Sequence, residues 1–311
     1  MPIYEMRKDM KCVILITVFN RKEKTLKCLD SVKDSLMQAT LKPDISVFLT
    51  DDGSTDGTAV AIQEKRYPFP INILQGDGNL YWNGGMINSW KAAIDSGEEF
   101  DGVLWLNNDT KILPGFWDEL QEADRYCHSK YGKGGIYVGS TYGKDNLNLN
   151  ENERHLTYGG FNFVSNITLK DVFVVPNGDF QECQCAHGNL TYISNDVMRK
   201  MGIFTEEYIH SGGDHDYTYR SYKKGFHLIV LPSFVGICEN DHPKDSYKSI
   251  FKMTLKERIA AMKSPIGFNM HNTLVFQRRC FPYRYPFVWL TCWLKVLFPR
   301  LSWKTYQWLR K

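Results

Sequence analysis

The sequence predicts an α/β fold, a mostly parallel sheet flanked by helices. Three observations carry that expectation. Continuous apolar runs recur at residues 12–18 (CVILITV), 45–50 (ISVFLT) and 103–106 (VLWL), as expected of strands buried on both faces. Helix-like stretches separate them, so strand and helix alternate between residues 12 and 110, which implies parallel pairing with right-handed crossovers. The runs stop in short polar or acidic residues, and in open α/β sheets ligands sit at the carboxyl ends of the strands.

In chain order, the first strand ends at Phe19-Asn20-Arg21, and residues 22–36 place Leu26, Leu29, Val32 and Leu36 on one side of an amphipathic helix. The second strand ends in Asp51-Asp52-Gly53-Ser54-Thr55-Asp56-Gly57, before a helix reaching about Lys65. Residues 71–74 form a third strand. It leads into a glycine-rich loop, residues 76–85 (GDGNLYWNGG), and then a helix with Met86, Trp90 and Ala93 on one face. The run at 103–106 stops at Asn107-Asn108-Asp109-Thr110. A carboxylate there can hold a hard divalent cation and through it a diphosphate, while the same residues also suit a turn capping the helix that begins near Pro114.

Beyond His128 the rhythm changes. A strand at 135–140, a polar loop at 142–155 and short β-like pieces between 156 and 194 read as the mixed part of the same sheet, shaping a second pocket. His187 lies between two such pieces and reads first as a buried, hydrogen-bonded histidine. Gly212-Gly213-Asp214-His215-Asp216 opens a helix that ends near Gly225. One cap needs one carboxylate, and acids two apart point different ways on a helix, so Asp214 and Asp216 suit different tasks. Residues 227–231 form a further strand and 245–262 a helix. The dinucleotide fingerprint G-x-G-x-x-G is absent after the first strand.

Length and composition are compatible with this plan. The 311 residues suit one large domain or two small ones, and 43% hydrophobic with 14% aromatic residues suffices for a core. The formal charge of +3 is unevenly spread. Ten Lys or Arg and no Asp or Glu follow Glu257, leaving 28 basic against 35 acidic side chains in the first 257 residues. The eight cysteines show no CxxC spacing, and Cys183-x-Cys185 is too isolated a pair for zinc, so a reducing compartment is expected. The first residues, MPIYEMRKDMK, have no apolar signal-peptide core, and no run reaches the ~20 apolar residues of a membrane span.

Four strand-end motifs stand in order: Thr17-Val18-Phe19-Asn20-Arg21, Asp51-Asp52-Gly53-Ser54, Asn107-Asn108-Asp109 and Gly213-Asp214-His215-Asp216. Together, over about residues 11–245, they resemble family 2 glycosyltransferases of the GT-A fold, particularly the rhamnosyltransferase-like branch that builds bacterial surface polysaccharides. The resemblance implies a nucleotide-diphosphate sugar donor, of the dTDP-rhamnose or UDP-hexose type, held by Thr17, Phe19, Asn20, Arg21, Asp51 and Asp52. Gly78, Asn79, Trp82 and Gly84 would lie along the donor, with Asn107 and Asn108 beside it; Tyr81 and Trp82 serve as stacking faces or as packing anchors. Asp109 matches the last acid of the family's D-x-D metal motif, with Asn107 in place of the first, and His242 is a further metal candidate for Mg²⁺ or Mn²⁺. Asp214 matches the general base, Gly213 replaces the family's Glu before it, and Gly213, Asp216 and His187 fall on the acceptor side.

The expected domains are a GT-A domain over 1–257, divided into a nucleotide-sugar half (11–130) and an acceptor-side half (131–245), and a basic helical extension over 258–311. Residues 281–311 hold four Trp and only basic charges, which suits a helix in an anionic membrane interface; packing on the catalytic domain or a dimer contact is the alternative. The expected protein is an inverting glycosyltransferase at the cytoplasmic face of the plasma membrane, acting on a glycan or lipid-linked acceptor and not on nucleic acid. The rival readings are a sugar nucleotidyltransferase, which lacks here its glycine-rich phosphate loop, and a non-catalytic scaffold. Oligomeric state is not legible.

Overall fold

A computed structural model describes residues 10–147, 149, 153–240, 250–266 and 268–309. The amino-terminal half runs β1 (Lys11–Val18), α1 (Lys22–Gln38), β2 (Asp44–Asp51), α2 (Thr58–Glu64), β3 (Ile71–Gln75), α3 (Tyr81–Asp95), β4 (Gly102–Leu106), β5 (Lys111–Ile112) and α4 (Phe116–Tyr131). It continues through β6 (Ile136–Tyr142), β7 (Leu156–Tyr158), β8 (Gly160–Phe163), β9 (Asp171–Phe173), β10 (Gln181–Cys183), β11 (Cys185–Ala186), β12 (Leu190–Ser194), α5 (Asn195–Met201), α6 (Gly213–Lys223) and β13 (Leu228–Ile237). Four further described helices follow: α7 (Leu255–Lys263), α8 (Met270–Cys280), α9 (Tyr285–Leu297) and α10 (Pro299–Leu309).

The central sheet has the order β10-β13-β6-β12-β4-β1-β2-β3. β3, β2, β1 and β4 are parallel, β12 is antiparallel to both β4 and β6, and β6 is parallel to β13. The uniformly apolar runs have a direct cause. On β1, Ile14, Ile16 and Val18 face the layer of α1 and α4, while Val13 and Leu15 face the layer of α3 and α6. β4 divides likewise, Leu104 and Leu106 to one side and Val103 and Trp105 to the other, and all five of its residues are buried. β1 is flanked by β2 on one side and β4 on the other, so the order reverses there. Such a reversal is where an open α/β sheet places a ligand crevice, beyond the carboxyl ends of β1 and β4.

Three expectations are corrected. The pieces between 156 and 194 do not all join the central sheet: β11, β8 and β9 pair antiparallel as a separate three-stranded sheet. The expected glycine-rich loop is shorter, because α3 begins at Tyr81 and takes in Trp82, Gly84 and Gly85. Gly85 is there for close packing, since a Cβ would overlap the Thr17 hydroxyl on β1. Of the helix expected over 245–262, residues 245–249 lie outside the described residues, Ile250–Lys252 is a 3₁₀ turn, and α7 begins only at Leu255, started by a capping box of Thr254 and Glu257.

Candidate active site

The loops after β1 and β2 are stitched together at the crevice. Asn20, at a left-handed φ of 48°, accepts the Thr55 N–H (2.8 Å) on its side chain, and its own N–H donates to Ser54 Oγ (2.9 Å). Asp51 accepts the Ser54 N–H at 2.8 Å. Asp52, 4% exposed, accepts the N–H groups of Gly78 (2.8 Å) and Tyr81 (3.0 Å), and a Cβ on Gly76 would fall on its carboxylate. Asp52 therefore braces the loop before α3 with both oxygens. Thr17 is half-buried beneath Gly85, whereas Phe19, Asn20 and Arg21 are exposed at the mouth, as are Gly78 and Asn79.

The residues after β4 carry three different assignments. Asn107 accepts the Trp82 indole N–H at 2.7 Å, and Asn108 is 7% exposed with its amide donating to Thr25 (3.2 Å). Asn108 is thus a brace to α1 and not a face of the crevice. Asp109, with its side chain 18% exposed, pairs with the Arg21 guanidinium at 2.7 Å, and the Cys238 thiol lies 3.7 Å from its other oxygen. This pair spans the crevice between the ends of β1 and β4.

The donor set decides what kind of metal site these residues could form. Among the described residues no group of three or more His, Cys, Asp or Glu is placed to hold an ion. His242 lies outside the described residues. One carboxylate fits a hard divalent cation whose other ligands come from a diphosphate and water, and does not fit a preformed protein cage.

Across the crevice, Asp214 stands in the first turn of α6, where the helix N-terminus favours negative charge. Its oxygens accept the N–H groups of Gly188 (2.8 Å) and His215 (2.9 Å), and 15% of the side chain remains exposed. Burial by itself raises its pKa; His215, His187 and the two N–H donors outweigh burial and hold the carboxyl below its ordinary 3.8. Gly188 also joins the two sides, since a Cβ there would come within 2.8 Å of the Trp82 ring. A chain of contacts thus runs from Asp214 through Gly188 and Trp82 to Asn107.

His187 is boxed by Phe161, Phe173, Tyr158 and His215, at ring separations of 5.2, 5.8, 5.4 and 4.9 Å. Its Nδ1 lies 3.0 Å from the Gly159 carbonyl, which can only accept, so that nitrogen carries the proton of the neutral ring. Burial first, then His215, lowers its pKa from 6.5 to about 4. His187 is both the hydrogen-bonded histidine expected and part of an aromatic wall beside Asp214.

Two expectations about α6 change. Asp216 is 1% exposed, and its oxygens accept from Arg220 (2.8 Å) and Arg279 (2.9 Å), so it anchors α8 and is not on the acceptor side. Gly213 is a steric requirement: a Cβ there would overlap the Asn83 carboxamide, whose nitrogen holds the carbonyls of Thr205 and Tyr208 at 2.9 Å. Sequence reasoning gave no role to Gly188 or the aromatics of β8 and β9, and it quoted His215 and Asn83 only inside motifs, without the roles they have here. For Gly188 the visible signal was the Gly-Asn pair after His187.

The fold has the GT-A plan, with the side chains of the strand-end motifs at the ends of parallel strands and a carboxylate opposite. The sequence matches the family model for glycosyl transferase family 2 over residues 13–171, more than half of the chain, and the protein belongs to that family. No curated protein sequence matches it. Among solved structures, S. aureus TarS 1-349 is similar at 15% identity and TM-score 0.54, covering 94% of this chain and 82% of that one. The same TarS fragment with UDP-GlcNAc matches at 14% identity and TM-score 0.54, over 93% and 80%. The mannosyltransferase PcManGT from Pyrobaculum calidifontis, in complex with GDP-Man and Mn²⁺, matches at 12% identity and TM-score 0.51, over 97% and 79%. At these identities the likeness is one of fold. The chain is a glycosyltransferase, and among the described residues no helix is long and apolar enough to cross a membrane.

Proposed function

We propose that the chain transfers a sugar, with inversion, from a nucleotide-diphosphate donor of the dTDP-rhamnose or UDP-hexose type to a hydroxyl of a lipid-linked glycan, in surface polysaccharide synthesis. The observation that carries this reading is Asp214, an ionised carboxylate held by two backbone N–H groups and joined to the donor side through Gly188 and Trp82. As an acceptor hydroxyl attacks the anomeric carbon, Asp214 takes its proton; the new C–O bond forms as the bond to the diphosphate breaks on the opposite face. Arg21 offers a guanidinium to the phosphates from the mouth of the crevice. Asp109 would hold a Mg²⁺ or Mn²⁺, which when bound supplies charge neutralisation to the leaving diphosphate. The relatives bound to GDP-Man with Mn²⁺ and to UDP-GlcNAc support a donor of this chemical class. The GT-A domain of residues 1–257 does this chemistry at the inner face of the plasma membrane, and the basic extension after Glu257 meets the bilayer.

The test is calorimetry of the full chain with UDP-, dTDP- and GDP-sugars, with and without Mn²⁺ or Mg²⁺. The expected result is selective binding of one donor, strengthened by metal and weakened at least about tenfold by Asp109→Ala. Absence of binding to every donor with either metal overturns the reading.

A further inference from the structure

The hairpin of β8 and β9 ties the candidate base to an exposed apolar tip. Inward, Phe161 and Phe173 stand against His187, and Phe161 lies 5.2 Å from His215, the neighbour of Asp214. At mid-length, Phe163 meets Phe281 edge to face at 5.5 Å, and Leu169 is drawn into the same cluster at a φ of 51°. At the turn, the Tyr283 hydroxyl donates to the Asn166 carbonyl (2.8 Å), so the tip is fixed to the segment that leads into α9. With Leu169 turned in, Val164 and Ile167 are left outside, 65% and 78% exposed. Next along the extension, Tyr283, Phe287 (71%), Trp289 and Leu290 are exposed as well.

We infer that the β8–β9 tip and α9 form one two-part docking surface for an anionic bilayer, setting the Asp214 crevice at headgroup level to receive a membrane-borne acceptor. The inference rests on the glycosyltransferase reading and adds a second anchor and an orientation to it. Charge selects the occupant. Every Asp and Glu of the chain precedes residue 258 and ten Lys or Arg follow; Arg300 and Lys304 on α10 and Lys170 at the tip are exposed, as is Asp171 next to Lys170. Apolar side chains accompanied by an excess of cations are the composition that enters an anionic headgroup region. The acidic-excess body would be held off the same lipids, which leaves this face as the one that approaches.

The experiment uses full-length protein and vesicles of phosphatidylcholine with or without phosphatidylglycerol. Wild type is expected to bind the anionic vesicles and not the neutral ones. Val164→Asp with Ile167→Asp is expected to weaken that binding at least about tenfold, as Phe287→Asp with Leu290→Asp does, while Val60→Asp on the exposed part of α2 leaves it unchanged. Donor affinity by calorimetry stays at the wild-type value in all three variants. If the tip pair binds like wild type while the α9 pair does not, the two-part surface is overturned and the extension alone docks. If wild type binds no vesicle but still binds donor, the membrane orientation falls and the transferase reading stands. Concentration-dependent dimerisation lost in the tip variants would assign the face to a second copy and also overturn the proposal.

Discussion

Asp214 and Asp216 stand two residues apart on α6 with opposite surroundings. Asp214 takes its hydrogen bonds from backbone N–H groups and keeps part of its surface open, whereas Asp216 is closed off between two guanidinium groups. Removing the first should therefore cost chemistry and not folding. Asp214→Asn is expected to lower kcat by ~10²–10⁴-fold with donor Kd within about twofold of wild type, in steady-state assays beside calorimetry. His187 makes a different prediction. Between pH 6.5 and about 4 the unfolded chain binds a proton at this histidine that the folded chain refuses, so stability falls as pH drops through that window. The loss is on the order of 3 kcal/mol, and Asp214 adds to it only below 3.8. Urea midpoints near pH 7 and pH 4.5 should differ for wild type, and the gap should shrink in His187→Gln. Reading the two acids as serving different tasks was possible from their spacing. Which acid did what depended on Gly188 and Arg279, far away in sequence.

At the scale of elements, α3 and α8 show what tertiary contact adds to local signals. Gly84 and Gly85 read as loop glycines, yet they lie inside α3, where Gly85 lets the helix approach β1 over Thr17. Gly85→Val should destabilise the chain by about 1–3 kcal/mol through overpacking, seen as a lower urea midpoint with the unfolding slope unchanged. Helix α8, which the sequence placed in a separate extension, is bound to α6 by Arg279, and Arg279 also bonds Glu207 at 2.5 Å. Arg279→Met leaves Arg220 as the remaining cation beside buried Asp216 and should cost on the order of 2–4 kcal/mol, measured the same way. Strands β1, β2 and β4 were legible because burial on both faces demands apolar residues at every position. The small sheet of β8, β9 and β11 was not, because its strands have two to four residues, too few for a period to show.

Across the whole molecule, charge and chemistry are separated along the chain and brought together in space. The cations after Glu257 follow a body with an excess of acids, and Tyr283 and Phe281 fasten their first helices to the hairpin that walls the candidate base. Attraction of such a surface to anionic lipid is screened by salt, so vesicle binding should fall steeply as ionic strength rises while donor binding changes little, which flotation at several salt concentrations would check. The sequence by itself determined the parallel sheet, the order of the four strand-end motifs and the carboxylates they offer. Each follows from local composition: apolar runs where both faces are covered, short polar residues where the chain turns toward ligand. Only the tertiary structure decided that Arg21 faces Asp109, that Asp52 braces a loop, that Gly213 makes room for Asn83, and that Asp216 holds a helix. Those roles depend on what lies across the crevice or behind the helix, and a partner dozens of residues away leaves no trace in local spacing.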